Sequence, residues 1–243
     1  MASPSARSLA HTRLVQSTSA ACAVVFAALC YLPRLAQAQS ADDAALIAAI
    51  DHAAQHREQD LAGYTVDERY TITNSHFSEP ATAVVKVTYT RDAGKQYQVV
   101  SRTGPSLLAS HLLDSMLAEE QKLSRNPDRA ASVITSDNYI MSRSSEDDLN
   151  TRRCIVLVVS PHHRSAYVLN GRIWVDASTK QLVRIDGIPP VSPSFFASRP
   201  TITRDYDEID GFSLATHSHA VSDAFFTGKT VVDIDYVNYQ LAQ

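Results

Sequence analysis

The sequence predicts an α+β domain made mainly of antiparallel β structure: a strongly curved, incomplete β-barrel, or half-barrel, with helices covering its concave face. Three observations predict it. Apolar and polar residues alternate with a period of two in about nine or ten segments, the pattern of strands with one buried face. Connections between these segments are mostly short and rich in turn residues, which makes hairpins the economical topology. Two stretches instead repeat their apolar residues at helical spacing, and such stripes need a surface to bury against, which the sheet supplies.

The N-terminal stretch stands apart. Arg7 and Arg13 precede an apolar run from Ser19 to Leu32, followed by the small residues Ala36 and Ala38, so residues 1–38 read as a secretory signal cleaved after Ala38. The run is shorter than the ~20 residues needed to span a bilayer. Leu29 before Cys30 does not suit a lipid-attachment site. The expected mature domain is 39–243, in the periplasm or secreted. Losing Arg7, Arg13 and Arg34 leaves 19 Lys and Arg against 26 acids, a net charge of −7, which argues against a nucleic-acid partner. Cys22 and Cys30 depart with the signal, so no intramolecular disulfide and no disulfide-linked partner is expected. Cys154 lies in the apolar run Arg153–Val159 and reads as a buried strand cysteine.

From Ala41 to about Leu61, residues Leu46, Ile47, Ile50, Ala53 and Ala54 mark the first amphipathic helix. The period then changes to two. Tyr64, Val66, Tyr70 and Ile72 share one side of a strand, and Ala81, Ala83, Val85, Val87 and Tyr89 share one side of the next. Asp92-Ala93-Gly94-Lys95 turns into a third strand carrying Tyr97 and Val99. After Gly104-Pro105-Ser106, Leu107, Leu108, Leu112, Leu113, Met116, Leu117 and Leu123 define the second helix. The pattern weakens between Asn126 and Asp148, with a short strand at 137–143. Strands are expected again at about 153–160, 165–176, 180–187, 200–208, 212–223 and 229–240, separated by turns at Ser160-Pro161, Ala177–Lys180, Asp210-Gly211 and Thr227-Gly228.

Asn170-Gly171-Arg172-Ile173-Trp174-Val175-Asp176, followed by Gln181–Asp186, resembles the β-hairpin of the periplasmic lipoprotein-carrier (LolA/LolB-like) superfamily, in which a strand ending in Trp-x-Asp turns into its partner. Asp205–Leu214 and Val232–Tyr239 look like its later strands. The resemblance is nearer to the superfamily's outer-membrane lipoprotein-sorting-like proteins than to the dedicated carrier. It implies an incomplete barrel with a helical lid, a hydrophobic cavity, no catalysis and no cofactor. In the carrier an arginine latches the lid by reaching helix carbonyls. Arg69, Arg91 and Arg102 lie on early strands here, and none takes that role from its position.

Other constellations have ordinary explanations. Phe195-Phe196 and Phe225-Phe226 sit in or beside loops; they either rim a cavity mouth or plug an end of the sheet. His217-Ser218-His219 puts two imidazoles on one strand face and His162-His163 lies in a turn, yet neither has a neighbouring carboxylate or cysteine at ligand spacing, so no metal site is expected. The chain has no Gly-x-Ser-x-Gly turn, and its seven glycines form no phosphate loop. Asp233 and Asp235 alternate with Val232, Ile234 and Tyr236, as on the outer face of a half-buried strand.

The reading is a non-enzymatic periplasmic binding or carrier protein that shields a lipid, an acyl chain or a lipoprotein in a hydrophobic cavity. Inward alternation nominates Tyr70, Val85, Val87, Tyr89, Val99, Trp174, Ile234 and Tyr236 as its lining; Leu112 and Met116 on the second helix and the four rim phenylalanines complete the set. The partner would be acyl chains, with an envelope membrane protein in the rival reading of a sensor or interaction module. An enzyme with an unrecognised site is the third reading.

Overall fold

A computed structural model describes residues 21–125, 127–224 and 227–242, with side chains from Ala41 onward. The chain divides into two units, the first ending at Asp42 and the second comprising Asp43–Gln243. Helix α1 runs from Ala21 to Asp60, so it begins well before the expected start and passes the expected cleavage point. Residues 1–20 of the expected signal lie outside the described residues. None of the described helices is long and apolar enough to cross a membrane.

Ten strands follow: β1 (Gly63–Asn74), β2 (Ala81–Thr90), β3 (Gly94–Thr103), β4 (Tyr139–Leu149), β5 (Arg152–Pro161), β6 (Asn170–Asp176), β7 (Leu182–Ile188), β8 (Thr201–Ile209), β9 (Phe212–Ala224) and β10 (Gly228–Leu241). Their order in the sheet is β3-β2-β1-β10-β9-β8-β7-β6-β5-β4. Every pairing is antiparallel, and β3 and β4 are left as edges. The sheet is a curved open half-barrel. Between the edge strands the chain forms a π-helical stretch, Leu107–Leu112, then α2 (Leu113–Leu123) and α3 (Asp128–Ser132).

Register carries one face across the sheet, because directly paired residues point the same way. Ala83 pairs with Tyr70, Tyr70 with Ile234, Ile234 with Ser218, Ser218 with Arg204, Arg204 with Ile185, Ile185 with Ile173, and Ile173 with Leu157. This is the helix-covered face. On one half, Leu108, Ala109, Leu113 and Leu117 pack on Val66, Tyr70, Val85, Val87, Ile234 and Tyr236. On the other, Leu46 and Ile50 of α1 join Met141, Leu157, Ile173, Val175 and Ile185. Ser136 anchors α1 to the loop before β4 by donating to Asp51 through its backbone N–H at 2.8 Å and its hydroxyl at 2.6 Å.

The opposite face is a ladder of charge. Arg69, Asp235, His217, Asp205 and Arg184 stand on five adjacent strands in successive pairs, with His217 Nδ1 2.8 Å from Asp235 and Arg184 Nε donating to Asp205 at 2.5 Å. It ends in a small apolar cluster of Cys154, Val156, Trp174 and Val183. Cys154 is buried there as a free thiol.

Two strand boundaries also differ from expectation by several residues. The strand read at 137–143 extends to Leu149, because pairing with β5 sustains a polar edge strand whose own sequence gives little signal. The strand read from 165 begins at Asn170 instead; Ser165 accepts from Tyr167 N–H at 3.1 Å, holding a local turn there.

Candidate functional site

A pocket of about 300 Å³ lies between the C-terminal half of α1, the segment after α3 and the inward face of β6–β9. Its roof comes from Ile50, Ala53 and Ala54, where α1 presents small residues on the turn after its buried anchor Ile50. Its floor is Ile173, Val175, Leu182 and Ile185, a branched apolar surface made by the resembling hairpin itself. Val133, Ile134 and Leu169 form a side wall. Asn138 Nδ2 holds that wall by donating to Ala130 O at 2.9 Å and Val133 O at 2.8 Å. Tyr139, whose phenol burial pushes up to about 12, accepts from Leu169 N–H at 3.3 Å and stays neutral at any ordinary pH.

The charged part of the lining is mostly cationic: Arg57, Arg129, Lys180 and Arg204, with Glu58 as the one carboxylate. Arg57 Nη1 donates to Glu58 Oε1 at 2.9 Å, and Arg129 Nε lies 3.2 Å from Glu58 Oε2. Arg57 Nε also donates to Ser213 O at 3.1 Å, and Arg129 Nη1 donates to Tyr89 Oη. The two serine hydroxyls of the lining are spent on backbone: Ser213 Oγ donates to Leu182 O at 2.6 Å and Ser132 Oγ to Arg129 O at 2.8 Å. His56 sits 3.2 Å from Asp60.

Arg204 links the pocket to a buried ionic cluster. Its Nε donates to Ser218 Oγ at 2.6 Å, and Tyr236 beside it, against the opposing cost of burial, holds its guanidinium well above the ordinary value. Further along the same face Lys95 Nζ reaches Glu120 Oε1 of α2 at 2.6 Å and Glu68 Oε1 of β1 at 3.4 Å, while Tyr70 donates to Glu68 Oε2 at 2.5 Å. Gly94, at φ +71°, allows this approach, since a Cβ there would stand 2.6 Å from Ser124 Oγ at the end of α2. Burial penalises the charged carboxylate and raises Glu68 despite Lys95. Glu120 goes the other way: Lys95 and Arg204 overcome burial and lower it.

None of the described residues nominated from sequence lines the pocket. Tyr70, Val85, Val87, Tyr89, Ile234 and Tyr236 are buried in the packed half under α2, with Val99, Leu112 and Met116 partly buried against them. Phe196 is buried in the same cluster with Phe195 against it, ring centroids 4.9 Å apart. Trp174 is placed elsewhere: it faces away from Ile173 and Val175, donates from Nε1 to Asp147 at 2.9 Å and packs under Arg172. Its run is apolar on both faces, which hides the direction of each residue. Phe225 and Phe226 lie outside the described residues.

Three features escaped the sequence reading. Glu68 carried a signal, since it occupies the apolar phase of β1 between Val66 and Tyr70. Arg102 Nη1 donates to Ala109 O at 3.3 Å and lies 3.1 Å from Asp114, a strand-to-helix contact at the π-helical stretch that position alone did not reveal. Asp233 and Asp235 stand beside the histidines of β9 after all, on the neighbouring strand, with His219 Nδ1 2.6 Å from Asp233. Among the described residues no group of three or more His, Cys, Asp or Glu is placed to hold a metal ion.

The fold and site together define an open antiparallel half-barrel with an apolar, basic-edged pocket beneath a helix. Neither the known family models nor the curated proteins contain a match to this chain. Among solved structures it is similar to a LolA superfamily protein from Nitrosomonas europaea, 13% identical over 81% of this chain and 94% of that one, with a TM-score of 0.45. A domain assigned to the outer membrane lipoprotein-sorting proteins, from Vibrio parahaemolyticus, is 12% identical over 80% and 91%, at 0.47. A DUF1329 family protein from Desulfovibrio piger is 13% identical over 80% and 92%, at 0.43. The superfamily that the 170–186 hairpin resembles is thus among the structures this chain is similar to. At these scores the likeness carries no argument about function.

Proposed function

We propose that this chain is an exported, non-enzymatic binding protein of the periplasm that shelters the acyl chain of a lipid or lipoprotein in the pocket under α1. The observation that carries the reading is the pocket's construction. It joins an apolar roof and floor to a volume of about 300 Å³, at the small end of ligand sites and suited to one chain. Each methylene buried there contributes roughly 0.8 kcal/mol, so affinity needs few polar contacts. The lining serines donate to backbone carbonyls, not to a base, which supports binding over nucleophilic chemistry. Under this reading the nominated residues beneath α2 are the surface that a longer ligand claims by displacing that helix.

A second reading, an envelope sensor or protein-interaction module, is favoured by Ile140 on the edge strand β4 and Val158 on its neighbour β5, both exposed. Native mass spectrometry of protein purified from the envelope fraction, with lipid extraction, separates the two. The carrier reading expects an adduct with the mass of an acyl-containing lipid; a bare chain that also fails to take up a fluorescent fatty acid would remove it and leave the interaction module.

A further inference from the structure

The charge of the pocket's ligand can be read from the same site, on the assumption that the site does hold an apolar chain. The whole sequence carries a net charge of −4, yet this pocket is lined by Arg57, Arg129, Lys180 and Arg204 against Glu58 alone. Glu58 is shared, with one oxygen 2.9 Å from Arg57 Nη1 and the other 3.2 Å from Arg129 Nε. One carboxylate between two guanidiniums leaves a positive charge. Arg204 faces Glu120, but that carboxylate is already held by Lys95 at 2.6 Å. Lys180 spends its ammonium on Ala177 O of its own turn. The lining therefore carries a net positive charge, and within it Arg57 and Arg129 share one carboxylate between two guanidiniums.

Both arginines are held in place. Arg57 is tied to Ser213 O at 3.1 Å and Arg129 to Tyr89 Oη and to Arg91 O at 3.4 Å, and their side chains are 37% and 15% exposed. Each guanidinium keeps its Nη2 outside these contacts; a charge-assisted bond from such a pre-positioned group to a planar or tetrahedral oxyanion is strengthened by low-dielectric walls. We propose that the pocket selects single-chain amphiphiles with an anionic head, a carboxylate or a phosphate monoester, seated on Arg57 and Arg129 with the tail between Ile50 and Ile173. A cationic head meets only Glu58 as a carboxylate among the lining side chains, and Glu58 is already paired with both arginines.

The test displaces the neutral fluorophore N-phenyl-1-naphthylamine from the protein purified from the envelope fraction with dodecanoate, dodecanol and dodecylamine, and with acetate and inorganic phosphate alone. Dodecanoate is expected to compete about tenfold or more better than dodecanol, the scale of a charge-assisted hydrogen bond. Raised salt, or Arg57→Gln, narrows that gap. Arg129 also braces Tyr89, so the head-group series on the unaltered protein is the primary readout. Equal competition by acid and alcohol would overturn anion selection while leaving the acyl-binding reading in place. Competition by acetate or phosphate as strong as that by dodecanoate would make this a free-anion site and overturn the amphiphile. Failure of the probe and of every tailed compound to bind would remove both readings together.

Discussion

Lys95 divides its charge unequally between two carboxylates, and the division has consequences for stability. Glu120 lies 2.6 Å from the ammonium and Glu68 3.4 Å. The side chains of Lys95 and Glu120 are 15% and 23% exposed, so the pair is mostly shielded. Glu120→Gln is expected to cost on the order of 2–3 kcal/mol at pH 7 in chemical denaturation. Glu68→Gln should cost less than about 1 kcal/mol, because burial outweighs Lys95 at Glu68 and already disfavours its charged form in the fold. The two respond to pH with opposite signs. Glu120 is lowered in the fold, so its contribution is present above the ordinary carboxylate range and lost as pH falls through the depressed folded value. The wild type and Glu120→Gln should therefore converge in acid. Glu68 is raised, so its contribution declines as pH climbs from the ordinary range toward the folded value. Equal losses from both substitutions would contradict the unequal division. At this scale the sequence was partly legible. The period of β1 marks Glu68 as an inward acid, whereas its partners Lys95 and Glu120 come from β3 and α2, and no spacing rule joins them.

Helix α1 shows at the next scale how a pocket arises from an ordinary amphipathic pattern. Leu46 and Ile50 bury at the positions that the helical spacing indicates, and one turn later Ala53 and Ala54 stand over branched residues of β6 and β7. Short side chains above a curved floor leave a space that longer ones would fill. Ala53→Phe is accordingly expected to fill the pocket, to leave the melting temperature within a few degrees and to abolish fatty-acid uptake. A variant that folds and still binds would place the ligand elsewhere. The sequence marked the alanines as part of the helix stripe, but nothing local told a packed alanine from one facing a void. The second helix was legible as an apolar stripe, and Leu113 and Leu117 are buried as that stripe requires. Its first turns are π-helical, a detail that tertiary contact with β1, β2 and β3 decides instead of propensity.

On the scale of the whole molecule, hairpin connections made most neighbours in the sheet readable, since β1 to β3 and β4 to β10 each follow chain order. The join between the two runs was not readable. Pairing of β1 with β10 brings Tyr70 opposite Ile234, a contact across nearly the whole chain that alternation cannot announce. This join decides which surfaces face each other. It places the first three strands under α2 as a filled core, and leaves the open space over the second run, under α1. The described residues nominated for the ligand, apart from Trp174, thus belong to the half already packed. Where a bound chain sits decides between the two halves of the sheet. A fatty acid carrying a photoreactive diazirine near its tail, cross-linked to the protein purified from the envelope fraction and mapped by peptide mass spectrometry, tests this most directly. Adducts are expected on Ile50, Ile134, Ile173 and Ile185; adducts confined to peptides of β1 to β3 and α2, or spread over the outer face, would contradict it.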